Sequence, residues 1–253
     1  MDGARLQVVV AHPDDETFGC GSLLLHAAAA GATTSVLCAT RGEAGEGNAT
    51  DLGATREREL REAARVLGVG RVDLLGFADS GMSGDAGAET LAGAPFERVV
   101  AAVRAVVDDV RPDVLVTLDA SDSHRDHVRI RDAALEAARA AGVPRVYLAC
   151  LPRSLMRRWV EHMRTERPDM EHLDADVAAL GTPDDDITTV LPAAEHLPAR
   201  ERAMAVHASQ TSPYEGLPDD LRRAFLADVH LRRVHPAPEP NSDGAERESS
   251  LLA

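Results

Sequence analysis

Residues 6–16 read LQVVVAHPDDE, a short apolar run that stops abruptly in one imidazole and three carboxylates. A run of this kind suits a strand covered on both faces, as in a parallel sheet, better than one with a solvated face. Similar runs occupy residues 34–39, 72–76, 114–118 and 146–151. Helical patterns lie between them. Val99, Val100, Val103, Val106, Val107 and Val110 recur at helical spacing, as do Leu60, Ala63, Ala64 and Leu67 ahead of Gly68, a natural C-terminal stop. The alternation predicts an α/β fold, a Rossmann-like doubly wound and mostly parallel sheet, with ligands at the carboxyl ends of the strands.

The pattern weakens after residue 151, where Pro152, Pro168, Pro183, Pro192 and the run Asp184-Asp185-Asp186 interrupt it. The chain is therefore read as an α/β core over 1–151 and an irregular extension or cap over 152–235, with a late helix at 198–208. A Pro-, Ser- and charge-rich tail over 236–253 reads as disordered. Aromatics are only 3% of a chain that is 44% hydrophobic, so the core must come from Val, Leu and Ala. A net charge of −15 disfavours nucleic acid and anionic membrane surfaces as partners. No apolar run approaches the roughly 18 residues of a membrane span. The N-terminus lacks the layout of a signal peptide, and Cys20, Cys38 and Cys150 form no CxxC pair, so a reducing cytoplasm is the expected setting. Nothing in the sequence selects between a monomer and a homo-oligomer.

Two polar segments carry the chemistry. Pro13 has no ladder donor and marks the end of the first strand. His12 and Asp15 then share a tight turn and can bind one metal through a nitrogen and an oxygen, leaving Asp14 free for another role. A nitrogen ligand tilts the choice toward zinc or iron over magnesium. The plainer alternative is an Asp-rich turn in which Asp15 or Glu16 caps the next helix. A dinucleotide loop fits poorly, because Leu24 stands where Gly19 and Gly21 would need a third glycine, and three carboxylates would repel a pyrophosphate. The second segment, residues 113–130, reads DVLVTLDASDSHRDHVRI, again a strand running into a polar loop, with His124, Asp126 and His127. Two such loops can converge, and His12, Asp15 and one of these histidines make up the three protein ligands of a catalytic zinc.

The sequence resembles the LmbE-like or PIG-L-type de-N-acetylases. Their first signature, AHPDDE, stands unchanged at residues 11–16, and their second, His-Pro-Asp-His, stands as His124-Arg125-Asp126-His127. Weaker echoes are Thr40 to Gly45, Arg56 with Glu59-Leu60, Asp79-Ser80-Gly81-Met82 and Ala205 to Gln210, so the likeness spans roughly residues 5–210. The resemblance implies one Zn2+ per chain, with Fe2+ as the alternative, on His12, Asp15 and His127. It makes Asp14 the general base and His124 the group that stabilises the oxyanion or protonates the leaving amine, oriented by Asp126. Arg56 and Asp79 match positions that contact the sugar. The implied activity is removal of the N-acetyl group from a GlcNAc-type amino sugar in a small metabolite. An amidase for mycothiol-type thiol conjugates is one alternative, and a non-catalytic sugar- or metal-binding protein is another. His207 reads as an ordinary helix-surface histidine.

Overall fold

The computed structural model describes residues 3–45, 49–166, 180–238 and 247–251. Strands β1 (Arg5–Val10), β2 (Thr33–Cys38), β3 (Arg71–Leu74), β4 (Val114–Leu118) and β5 (Arg145–Ala149) pair in parallel in the order β3-β2-β1-β4-β5. They fall close to the apolar runs read from the sequence, with ends shifted by one or two residues. Helices α1 (Asp15–Phe18) and α2 (Gly21–Ala29) lie between β1 and β2, α3 (Leu52–Val66) before β3, α4 (Phe96–Val110) before β4 and α5 (Arg125–Ala141) before β5.

Alternation along β1 builds both layers of the core. Leu6, Val8 and Val10 pack with Leu23, Leu24, Leu60 and Ala63 of α2 and α3. Val9 and Ala11 face Val99, Val103, Ile130 and Ala134 of α4 and α5. Strand order reverses at β1, whose neighbours β2 and β4 lead to helices on opposite faces. A crevice at that switch point is where a doubly wound sheet takes its ligand.

The extension is more regular than its composition suggests. It holds helices α6 (Arg153–Glu166), α7 (Leu197–Val206) and α8 (Asp219–Leu226), and strands β6 (Thr189–Pro192) and β7 (Asp228–His235). Both strands join the core sheet, β7 antiparallel to β5 and β6 antiparallel to β7, giving seven strands in one sheet. The division at residue 151 therefore does not part the sheet. Parts of the expected disordered tail, residues 239–246 and 252–253, lie outside the described residues. Residues 247–251 pack against the sheet: Glu248 accepts from Thr189 Oγ1 at 2.7 Å and Tyr147 Oη at 3.2 Å and pairs with Arg233, while Leu251 is buried in the core. Among the described residues no helix is long and apolar enough to cross a membrane.

Arg200 of α7 ties the extension to the core. It is buried, its guanidinium lies over the Tyr214 ring, and it donates to Ser22 Oγ at 3.0 Å and to the carbonyls of Phe18 (2.5 Å) and Leu226 (3.5 Å). Those carbonyls end α1 and α8, where helices leave acceptors without intrahelical partners. Phe18 O also accepts from Tyr214 Oη at 2.8 Å and Leu226 O from Ser22 Oγ at 3.2 Å, so both stay matched without the guanidinium. Arg200→Met is therefore expected to lower stability by about 1.5–2 kcal/mol, the low end for losing hydrogen bonds from a charged donor. Chemical denaturation at neutral pH reads this, and a change under about 0.5 kcal/mol would make Arg200 an incidental contact.

Candidate active site

β1 delivers His12 to the switch point. Past Ala11 the chain turns sharply: Asp15 N–H donates to His12 O at 3.3 Å, and the His12 N–H donates back to Asp15 Oδ2 at 2.8 Å. Asp14 sits at φ 127, a backbone region that non-glycine residues rarely occupy, and its carbonyl accepts from the amides of Thr17 and Phe18 to start α1. The turn separates neighbouring carboxylates. Asp15 faces the two histidines His12 (3.6 Å) and His127 (3.4 Å), while Asp14 Oδ2 accepts from Arg56 at 2.9 Å.

β4 supplies the facing loop. Ala120 (φ 56) and Ser123 (φ 61) are both left-handed and bend the chain so that His124 caps α5 and His127 lies one turn in. The rings of His12, His124 and His127 converge, with centroids 4.7 to 5.3 Å apart. One nitrogen from each lies within 4.8 Å of the others. His127 Nδ1 is held by Asp122 at 2.6 Å, and its Nε2 is buried without a hydrogen-bond partner. A carboxylate behind an imidazole whose other nitrogen faces into a site is the usual arrangement of a metal-ligating histidine. His12, Asp15 and His127 thus fit a divalent cation by donor chemistry and by that orphaned nitrogen, and His124 is a fourth nitrogen beside them.

The electrostatics follow from this crowding. Burial presses the His12 imidazole down, but Asp126, Asp15 and Asp79 outweigh it and hold its pKa well above the ordinary value. For His127, Asp15 and Asp122 likewise overcome burial and raise it to about 10. Burial would raise Asp15, yet His127 and His12 keep it well below the carboxylate range. Asp14 is different: burial, then the charge of Asp15, push it up to about 7 against the opposing pull of Arg56. His124 is lowered by burial and by the charges of His127 and His12.

One sequence expectation meets a different geometry, and two other expected residues have partners within the site. The Asp126 carboxylate does not reach His124. It lies 3.3 Å from His12 Nε2 and accepts from Ser80 N (2.9 Å) and Ser80 Oγ (2.5 Å); only the Asp126 backbone N–H meets His124, at Nδ1, 3.2 Å away. Arg56 is buried and donates to Asp14 and to the carbonyls of Pro13 (2.7 Å) and Gly42 (2.8 Å). Asp79, its side chain also shielded, accepts from Gly81 N at 2.8 Å and lies 3.5 Å from His12 Nε2. Both expected sugar contacts are thus engaged with the site's own residues. Sequence reading missed Asp122 and Ser80. An acid five residues before His127, on the same loop, was the available signal for Asp122, whereas Ser80 is recognisable only by its contact with Asp126.

Arg125, which replaces the proline of the second signature, grips the loop carrying Asp79 and Ser80. It donates to the carbonyls of Gly81 (2.8 Å), Ser83 (2.9 Å) and Gly84 (2.7 Å). Arg125→Ala is expected to cost about 2 kcal/mol, the scale of hydrogen bonds from a charged donor. Thermal and urea unfolding read it, and unchanged midpoints would show that the loop is held by other contacts.

Comparison with known proteins adds a family match, a relative and two solved structures. Residues 7–138 match the family model described as PIG-L: GlcNAc-PI de-N-acetylase. A 1D-myo-inositol 2-acetamido-2-deoxy-alpha-D-glucopyranoside deacetylase of Rhodococcus opacus is 35% identical over 97% of this chain and 97% of its own length. Among solved structures, the N,N'-diacetylchitobiose deacetylase of Pyrococcus horikoshii superposes with a TM-score of 0.61 at 19% identity, covering 94% of this chain and 88% of that one. The 4-carboxy-2-hydroxymuconate hydratase of Pseudomonas putida KT2440 gives the same TM-score of 0.61 at 19% identity, covering 94% and 99%. One fold therefore carries both hydrolysis and hydration, and the reaction has to be argued from the site.

Proposed function

The chain belongs to the PIG-L family of GlcNAc-PI de-N-acetylases, and on that premise we propose that it hydrolyses the N-acetyl group of a GlcNAc-type amino sugar in a small metabolite. One divalent ion, zinc in first place and ferrous iron as the alternative, would be held by His12, Asp15 and His127. The observation that carries this reading is the convergence of those donors, one an orphaned buried nitrogen, beside Asp14 at the sheet's switch point.

When bound, the cation supplies Lewis acidity, polarising the amide carbonyl and acidifying the attacking water. The remaining steps belong to the chain's own groups. Asp14, with its pKa at about 7, accepts the proton of the attacking water at neutral pH. Arg56 fixes the direction of that carboxylate through Oδ2. His124 is kept largely neutral, and because its Nδ1 accepts from the Asp126 amide, its proton resides on Nε2. That tautomer presents an N–H donor to the oxyanion, a contact whose loss costs about 3–4 kcal/mol of barrier in comparable sites. Asp126 and Asp79 act on His12, whose orientation they hold from behind.

Liberation of a primary amine from 1D-myo-inositol 2-acetamido-2-deoxy-alpha-D-glucopyranoside, from N-acetylglucosamine and from mycothiol-type thiol conjugates tests the proposal, with acetate as the co-product wherever an N-acetyl group is removed. Release from an amino-sugar substrate is expected. Cleavage confined to the thiol conjugates would transfer the chain to the amidase alternative, and inertness toward all three with metal bound would favour a binding protein.

A further inference from the structure

His207 ends α7 and is not on the surface. It is 1% exposed, and its Nε2 lies 2.8 Å from Glu16 Oε1 and 3.2 Å from Thr17 Oγ1, both residues being 0% exposed. The Thr17 hydroxyl also donates to that Glu16 oxygen. The other oxygen, Oε2, accepts the backbone N–H of Asp14 at 2.9 Å. A chain of contacts therefore runs from the late helix, through one buried carboxylate, to the backbone of the residue at φ 127.

Backbone strain of this kind persists only where the surroundings over-determine it. Asp14 is held at three points: its N–H by Glu16, its carbonyl by the amides of Thr17 and Phe18 at 2.9 and 2.7 Å, and its carboxylate by Arg56. Glu16 can serve as the first anchor only because His207 and Thr17 satisfy its other oxygen, since a buried carboxylate without partners is not tenable. Packing alone does not explain an imidazole here. His207 Nδ1 is buried without a hydrogen-bond partner, a cost that an apolar side chain of similar size would avoid.

We propose that His207 is a positioning residue that, through Glu16, holds the strained Asp14 turn and so aims the Asp14 carboxylate at the attacking water. Its kinetic consequence rests on the deacetylase reading above, whereas its structural consequence does not. It also gives the extension a part in catalysis, because α7 carries the residue that braces the first signature.

The experiment compares His207→Phe, which keeps volume and removes the donor, with His207→Gln, which keeps a donor in reach of Glu16. His207→Phe is expected to lower kcat about 10–100-fold, the usual scale for residues supporting a site from behind, with KM and metal content unchanged. His207→Gln should recover about tenfold of that loss. In a crystal structure of His207→Phe, Asp14 should have left the positive-φ region. Wild-type kcat in His207→Phe, or Asp14 still at positive φ, overturns the proposal. Equal losses in both variants also overturn it, since the donor would then be irrelevant. If His207→Phe does not fold, His207→Asn, whose amide is too short to reach Glu16, takes its place with the same expectations. If the wild-type protein releases no acetate from any amino sugar, the deacetylase reading fails, and the Asp14 backbone in the variant still decides this one.

Discussion

Asp14→Asn is expected to keep its fold and its metal and to lose about 10²–10⁴-fold in kcat, the contribution typical of a positioned general base. Asparagine matches the carboxylate in size, and its carbonyl oxygen can still accept from Arg56 Nη2, so the turn has no steric reason to rearrange. What disappears is the capacity to take a proton. The same residue makes a stability expectation. Burial and the neighbouring Asp15 raise Asp14 to about 7, above its unfolded value, so the protonated form is favoured by folding. Its stabilising share is complete below the unfolded pKa of about 4 and is lost as pH rises through about 7. Metal-free Asp14→Asn should therefore unfold at a higher temperature than the metal-free parent at pH 8, with the gap closing near pH 4. Calorimetry across that range reads it. A less stable variant at pH 8 would mean that Arg56 over-compensates the carboxylate.

His127→Ala should abolish tight metal binding and acetate release together. The change removes the orphaned Nε2 and leaves Asp122 Oδ2 without its imidazole partner, while Oδ1 still accepts from the His124 N–H. Asp122→Asn separates the two contributions. It keeps the imidazole and weakens only its support, so metal affinity should fall about 10–100-fold while some activity survives at saturating metal. Metal analysis after dialysis against a weak chelator distinguishes the three proteins. Full occupancy in His127→Ala would remove this histidine from the ligand set and leave His124, one of the three converging imidazoles, as the substitute.

Both signatures were legible in the sequence for a physical reason. β1 and β4 are buried on both faces, so their apolar runs are continuous, and charged residues can begin only where the sheet ends. The extension was harder to read. β6 has four residues and closes on Pro192, and β7 mixes Arg and His with its apolar positions, so neither resembles the inner strands. α6 begins directly after Pro152 and carries four arginines or glutamates among its first nine residues, which masked its apolar stripe of Leu155, Trp159 and Val160. The tail shows the limit of composition most clearly. Glu248 looks like one more solvated charge until Tyr147, Thr189 and Arg233, distant in sequence, surround it. The directions of Asp126 and Arg56 were hidden for the same reason. A motif names the residues that meet, but which atom faces which partner is decided by loops such as 79–84, whose sequence carries no periodic signal.

The most direct test is reconstitution. The purified protein is stripped of metal, then titrated with Zn2+ and separately with Fe2+ under anaerobic conditions, while acetate release from an amino-sugar substrate is followed. The account expects no turnover in the stripped protein and activity rising linearly to a break at one ion per chain. Full turnover without metal, or a titration with no break at one equivalent, would contradict a single site formed by His12, Asp15 and His127.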